Sequence, residues 1–373
     1  MLIGVPIEIK DHEYRVGLTP ASVRELCRHG HRVTLQHDAG AAIGFSNEDY
    51  LDAGAVIVDR AQQIFDESEL IVKVKEPQPE ECKMLHQGQL LFTYLHLAPD
   101  LEQTELLLAS GATCIAYETV TDDSGTLPLL APMSVVAGRL SVQAGAHYLE
   151  KIQGGRGVLL SGVPGVAPAK VTVIGGGVVG NNAAYMAVGM GADVTILDRS
   201  LARLSQLDIE YAGRVRCVYS TASAIEEYAL ESDLVIGAVL VPGATAPKVL
   251  TRDSIRHMQG GSVVVDVAID QGGSFETSKP TTHKNPVYVV DDVVHYCVTN
   301  MPGAVARTAT QALNNAVLPF ALGLAEKGAG ALLEDRNLRN GLNVHRGQVT
   351  YRAVSEALGL DYVDAATALA GSG

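Results

Sequence analysis

Positive charge is scarce in this chain. Its 373 residues carry 28 lysines and arginines against 42 aspartates and glutamates, a formal net charge of −14. That balance argues against an electrostatic footprint for nucleic acid or for an anionic membrane surface. Long apolar runs are missing as well, so no segment spans a bilayer. The opening MLIGVPIEIKDHEYR meets acidic residues too early for a secretory signal. Cysteines are few and scattered. Cys27, Cys82, Cys114, Cys217 and Cys297 are odd in number and show neither Cys-x-x-Cys nor Cys/His ligand spacing. This argues against a disulfide framework and points to a reducing, cytoplasmic setting. Internal repeats, low-complexity tracts and long charge runs are absent too. What remains is small-molecule chemistry.

The chain does have enough apolar residues, 47% of the total, for two packed cores. Before residue 120, short runs such as LIGVPIE, RVTLQ, LIVKV, QLLFTYL and TCIAYE alternate with helical patterns. One of these, TPASVRELCRHG, offers Thr19 as N-cap, Pro20 at the first helical position and Gly30 as a stop. Such alternation predicts an α/β fold with largely parallel sheets. The small and apolar residues of SVVAGRLSVQAGAHYLEK suit a long, closely packed connecting helix. A second series then follows: KVTVIG, DVTILD, RVRCVY, DLVIGA, GSVVVDVA and PVYVVD, six strands as in a dinucleotide-binding domain. After VTNMPGAVARTAT the pattern reads as helical, with no further strand series. That tail is short for a core of its own and is expected to return to the first domain. The expected division is residues 1–130 with 305–373, interrupted by an inserted domain at 131–304.

Gly175, Gly177 and Gly180 form G-x-G-x-x-G between the strand VTVI and a helical segment. The first glycine permits the turn and the second lets a pyrophosphate approach the backbone. The third allows close helix–strand packing. The next strand ends in Asp198, where a carboxylate can bond the ribose hydroxyls and repel a 2′-phosphate. The cofactor expected is therefore NAD, although Arg199 and Arg203 pull the other way.

Hydride transfer also needs a cation for an anionic substrate and a group that moves protons. Arg15, in the loop DHEYRVGLTP, suits a carboxylate fork, and it equally suits an ordinary surface arginine. Lys73 and Lys75 follow one another at period two in LIVKVKEP, where either is compatible with simple solvation. Lys75, nearer the loop, is the better placed. His96 in YLHLA stands at the carboxyl end of a strand, where an imidazole exchanges protons near neutral pH, while structural histidines occupy such places too. Asp266, inside SVVVDVAIDQGG, reads as structural. Asp270, at its end, is the one to face the nicotinamide and a histidine from the other domain.

Together, GVPxE with RVGLTP, VKVKEP, YLHLA, VTVIGGGVVG, DVAIDQGG and HYCVTNMPGAVARTAT resemble the alanine dehydrogenase family, and they run over essentially the whole chain. The resemblance implies two Rossmann-like domains, with the substrate domain discontinuous around the NAD-binding one and the active site in the cleft between them. It implies NAD-dependent interconversion of L-alanine with pyruvate and ammonium, and a homohexamer. On the matching positions, Arg15 and Lys75 would bind the substrate. His96 would be the general acid/base, and Asp270 would handle water and proton transfer. Cofactor contacts are implied at Ser134, Val178, Val179, Asp198, Arg203, Ser220, Val239, Leu240, Val267, Ala268, Ile269, Asp270, Val298, Thr299, Asn300 and Met301. Some relatives are described with a magnesium site on a glutamate and a late histidine. Here Glu118 is present but Lys327 stands at the histidine's place, so no metal is expected. Three rivals share the nucleotide signature: a transhydrogenase NAD-binding subunit, a saccharopine-type dehydrogenase and a non-catalytic NAD sensor. YLHLA and HYCVTNMPGA argue against the first, substrate size against the second, and the four candidate site residues against the third.

Overall fold

β-branched runs bounded by polar loops become strands, and the helices between them cover the faces of two separate sheets. The computed structural model describes residues 1–239 and 246–371. The chain divides into two compact units, 1–133 with 305–373 and 134–304.

In the first unit, β1 (Leu2–Val5), β2 (Arg32–Gln36), β3 (Val56–Val58), β4 (Leu70–Val72), β5 (Leu90–Thr93) and β6 (Thr113–Ala116) lie parallel in the order β6-β5-β4-β1-β2-β3. Strand order reverses between β1 and β4. The helix Pro20–Arg28 starts where its sequence signals put it: the Thr19 hydroxyl accepts from Ser22 N–H, and Pro20 occupies the first turn.

The end of the chain is not purely helical. Leu342–His345 pairs antiparallel with β6, and Gln348–Val349 extends the sheet to eight strands. These strands are two to four residues long, too short for their alternation to stand out in the sequence. Their apolar side chains nevertheless join the core of the first segment, where Val344 and Val349 pack with Leu91 and Cys114. The helix Ala306–Lys327 is tied in by Asn314, which accepts from Thr19 N–H at 2.8 Å and donates to Gly17 O at 3.2 Å.

The second unit holds β7 (Lys170–Ile174), β8 (Asp193–Asp198), β9 (Val215–Tyr219), β10 (Leu234–Gly237), β11 (Val263–Asp266), β12 (Val287–Val290) and β13 (Val293–Tyr296). Six are parallel in the order β13-β11-β10-β7-β8-β9. The run PVYVVD, read from sequence as the sixth strand, is instead β12, an antiparallel edge strand; β13 takes the sixth parallel place. A two-residue turn makes the difference. Asp291 and Asp292 both adopt positive φ, 47° and 62°, the geometry that folds two strands into a tight hairpin. Aspartate pairs signal such turns less plainly than Asn-Gly.

The connecting helix Ala131–Tyr148 needs its small residues. A Cβ on Gly138 would lie 2.2 Å from Val179 O, and one on Gly145 would lie 2.6 Å from the Leu234 side chain.

Candidate functional site

All four residues expected to do chemistry lie beyond the carboxyl ends of parallel strands, in loops rather than in the strands themselves. In the first unit the loop after β1 carries Glu8, Glu13 and Arg15. It passes so close to β4 that a Cβ on Gly17 would lie 2.3 Å from Val72 O. Arg15 is not a surface arginine, being only 2% exposed. Its Nε and Nη2 donate to the two oxygens of Glu13 at 2.7 and 2.6 Å, and Nη1 lies 3.2 Å from Met133 Sδ. Burial works against the guanidinium charge, but the paired Glu13 more than offsets it, so its pKa is raised. The fork is held rigidly and stays charged. An open cavity of about 360 Å³ is lined by this loop, including Glu8, Glu13 and Arg15.

Lys73 and Lys75 both lie past the end of β4, so strand alternation does not govern them. Lys73 is fully buried, its Nζ 3.1 Å from Glu8 Oε2 and 2.7 Å from Glu81 Oε1. Burial opposes its charge and the two carboxylates outweigh that, so its pKa is raised. Simple solvation is thereby excluded for Lys73. Lys75 is half-buried, and its carbonyl accepts from the Thr93 hydroxyl at 2.8 Å, which ties it to the end of β5.

His96 has a left-handed backbone, φ 50°, which costs a non-glycine residue about 1–2 kcal/mol. Glu118 holds it there. Glu118 Oε1 accepts from His96 N–H at 2.6 Å and from Leu95 N–H at 3.1 Å, and lies 3.8 Å from His96 Nδ1. The imidazole stacks on buried Tyr94, with centroids 5.7 Å apart and planes 7° apart, and remains 45% exposed. Tyr94 is anchored by its hydroxyl to Leu129 O at 2.6 Å. Its phenol pKa is raised by burial, against the opposing pull of Arg15. A fixed cation, a half-buried amine and an accessible imidazole therefore belong to one edge of one sheet.

In the second unit the glycine motif folds as its spacing requires. Gly175 has φ 102° and its N–H donates to Leu197 O at 2.7 Å. A Cβ on Gly180 would lie 1.8 Å from Gly175 O, so only glycine lets the helix Val178–Gly189 pack on β7. A Cβ on Gly177 would meet nothing within 4 Å. It would point into open space at a helix N-terminus that has no side-chain cap, the arrangement that receives a phosphate. The Asp198 carboxylate accepts from Gly176 N–H and Ser200 N–H, each at 2.7 Å, and Arg203 Nε donates to Gly176 O at 2.6 Å. In this geometry Arg203 braces the glycine loop. Ser220 N–H donates to Asp198 O at 2.9 Å.

The other expected cofactor residues gather at the same carboxyl edge. Val239 follows β10, Val267–Asp270 follows β11, and Val298, Thr299, Asn300 and Met301 follow β13. Val178 and Val179 open the fingerprint helix and Ser134 lies in the connecting helix; Leu240 falls outside the described residues. Asp270 is exposed, in a short helical turn Ile269–Gln271. That turn is built on Asp266, fully buried, which accepts from Ala268 N–H, Ser274 N–H, Phe275 N–H and the hydroxyls of Ser274 and Ser278. Lys248 Nζ holds the far side of the loop through Gly272 O at 2.6 Å and Gly273 O at 2.9 Å.

Glu8, Glu13, Tyr94 and Lys248 were not singled out as functional from sequence, and Glu118 was named only as one half of a metal pair that was not expected. Glu13 stands two residues from Arg15, a spacing that hinted at the pair. Nothing local announced the others, whose hydrogen-bond partners are 22 to 66 residues away. Lys327 pairs with Glu334 at 2.5 Å. Among the described residues no three His, Cys, Asp or Glu side chains cluster as metal ligands, and no helix is long and apolar enough to cross a membrane.

Two family models match the chain: the N-terminal domain of alanine dehydrogenase/PNT over residues 4–137 and its C-terminal domain over residues 141–352. An alanine dehydrogenase from Halomonas elongata is 64% identical over 98% of this chain and 99% of its own length. A solved L-alanine dehydrogenase is 53% identical, covers 96% of this chain and 99% of its own, and superposes with a TM-score of 0.94. A transhydrogenase from Sinorhizobium meliloti, 24% identical over 95% of this chain and 100% of its own, shares the fold with a TM-score of 0.82.

Proposed function

We infer the reaction from one premise: the chain belongs to the alanine dehydrogenase/PNT family. It catalyses the NAD-dependent oxidative deamination of L-alanine to pyruvate and ammonium, and the reverse reductive amination. The observation that carries this is near full-length likeness to proteins of that name, in sequence and in fold.

The glycine loop fits a dinucleotide. Open space at Gly177, an uncapped helix N-terminus and the Asp198 carboxylate suit a pyrophosphate and a ribose diol. We assign NAD to the unit 134–304, with Gly175, Gly177, Gly180, Asp198, Arg203, Ser220, Val239 and the loops after β11 and β13 as its contacts. When bound, NAD accepts a hydride from the alanine Cα, and NADH returns it.

The chain's own residues do the rest. In the unit 1–133 with 305–373, the buried Arg15 guanidinium, held in place by Glu13, supplies the positive charge that binds the substrate carboxylate, and Lys75 polarises the carbonyl or imine. His96, left accessible by its backbone, moves the proton when water adds to the imine and when the carbinolamine releases ammonia. Asp270 is assigned water and proton transfer at the imine and carbinolamine stages. Five free cysteines support a reducing, cytoplasmic setting, and the assembly is assigned as a homohexamer, which light scattering tests.

The direct test is NADH absorbance on mixing the protein with L-alanine and NAD. Signal with this pair, and none with D-alanine, L-glutamate or NADP, is the expected result. Silence with every amino acid, alongside measurable NADH binding, would favour a non-catalytic NAD protein.

A further inference from the structure

We propose that Glu8 and Lys73 are positioning residues for substrate binding, one buried ion pair holding the two loops that carry Arg15 and Lys75. The proposal rests on the reading of those two cations as the substrate-binding groups.

Lys73 has no exposed surface, its chain neighbours Ile71, Val72 and Val74 are fully buried, and so is Phe92, whose carbonyl accepts from Lys73 N–H at 3.2 Å. Burying an ammonium and two carboxylates carries a desolvation cost, and apolar side chains of similar volume are often as stable or more so. Stability alone therefore does not account for the triad. Its bonds suggest what does. Glu8 stands on the loop after β1, seven residues before Arg15. One of its oxygens pairs with Lys73, and the other accepts from Val74 N–H at 2.6 Å. Val74 directly precedes Lys75, in the stretch where the chain has left β4. The backbone beside Lys75 is thus set by a side chain from Arg15's loop.

Glu81 differs in a useful way. It pairs with Lys73 at 2.7 Å, closer than Glu8 does, but its other oxygen accepts from Gln78 N–H at 2.8 Å, at the start of the short helix Pro79–Cys82. Its bonds run to Lys73 and to Gln78, three residues past Lys75 in the same loop, and not to the loop that carries Arg15. A purely structural triad would treat the two glutamates alike, whereas a positioning role separates them. Glutamine at either place keeps one oxygen and turns an NH2 donor toward the ammonium or the backbone N–H that the other oxygen served.

The experiment compares wild type with Glu8→Gln, Glu81→Gln and the triple variant Glu8→Gln/Lys73→Met/Glu81→Gln, which removes the charges together and leaves none unpaired. The readouts are KM for L-alanine and for pyruvate, kcat, NADH affinity by fluorescence and the thermal midpoint. Glu8→Gln and the triple variant should raise both substrate KM values roughly 10- to 100-fold, the scale of a misplaced binding group, with NADH affinity unchanged. Glu81→Gln should lose stability with its KM near that of wild type. Equal KM rises in the two single variants, tracking their loss of stability, would overturn the proposal. So would an unmoved KM in Glu8→Gln or, if that variant does not fold, in the triple variant. Absence of alanine-dependent turnover in wild type would remove the reaction and the proposal with it; turnover with unmoved KM values removes only the positioning role.

Discussion

Lys73 and Asp266 invite comparison. One follows the last residue of β4 and the other is the last residue of β11; both are charged and both are fully buried at the carboxyl edge of a parallel sheet. Lys73 is satisfied by two carboxylates, 65 residues upstream and 8 downstream. Asp266 is satisfied by neutral N–H and O–H donors drawn from the next twelve residues. The same contrast runs through the two sites. In the first unit, ion pairs and long-range carboxylates hold the working side chains: Glu13 on Arg15, Glu118 on the His96 backbone. In the second, main-chain geometry does most of the holding, and its limits are steric. A site built from side chains should fail when charge or chemistry is removed, and a site built from backbone should fail when a Cβ is added.

The largest effect expected tests the side-chain half. His96→Ala should lower kcat for deamination by about 10²- to 10⁴-fold, the usual worth of a general acid/base, while NADH titration shows unchanged affinity. Near-normal turnover would remove His96 from its role. The backbone half is tested by two alanines three residues apart. Gly180→Ala drives a Cβ into Gly175 O and should cost about 1–3 kcal/mol in urea unfolding. Gly177→Ala has room and an ordinary φ of −68°, so unfolding should be unaffected while NADH affinity drops, because the new methyl stands where the pyrophosphate approaches. If both variants behave alike, by either readout, the two glycines do not have separate roles.

The smallest effect expected crosses the comparison, since Asp198 is a side chain in the backbone-built site. Asp198→Ala removes a ribose acceptor and a charge that repels a 2′-phosphate. The ratio of kcat/KM for NAD over NADP should fall about tenfold, roughly 1.4 kcal/mol. An unchanged ratio would shift the discrimination to Arg199, Arg203 or the main chain.

Legibility followed the same division. The glycine motif and the first helix with its Thr19 cap could be read directly, because each is a local pattern whose cause lies within a turn or two of chain, and Asp198 could be read from its fixed place at the end of the next strand. Arg15, Lys75, His96 and Asp270 were legible only as polar residues after apolar strands, which said where they are but not what holds them. Lys73 was underestimated because period two suggested a shared strand face, and β4 ends one residue before it. The hairpin of β12 and β13 and the two strands near the C-terminus were misread for a different reason. Two aspartates at positive φ are a weak turn signal, and a two-residue strand has no periodicity.

Sequence by itself determined the class of fold, the dinucleotide signature and the family, since these rest on apolar period, glycine placement and short motifs that are each contiguous in the chain. Tertiary structure alone decided that Arg15 is buried and paired, that Lys73 bridges two loops, that Glu118 props His96 in a left-handed backbone, and that the last strands complete the first sheet. Apart from Glu13, which neighbours Arg15 in the chain, those facts depend on which distant carboxylate or edge strand lies opposite each group. Such a partner is selected by burial and sheet order, neither of which is written in the residues on either side.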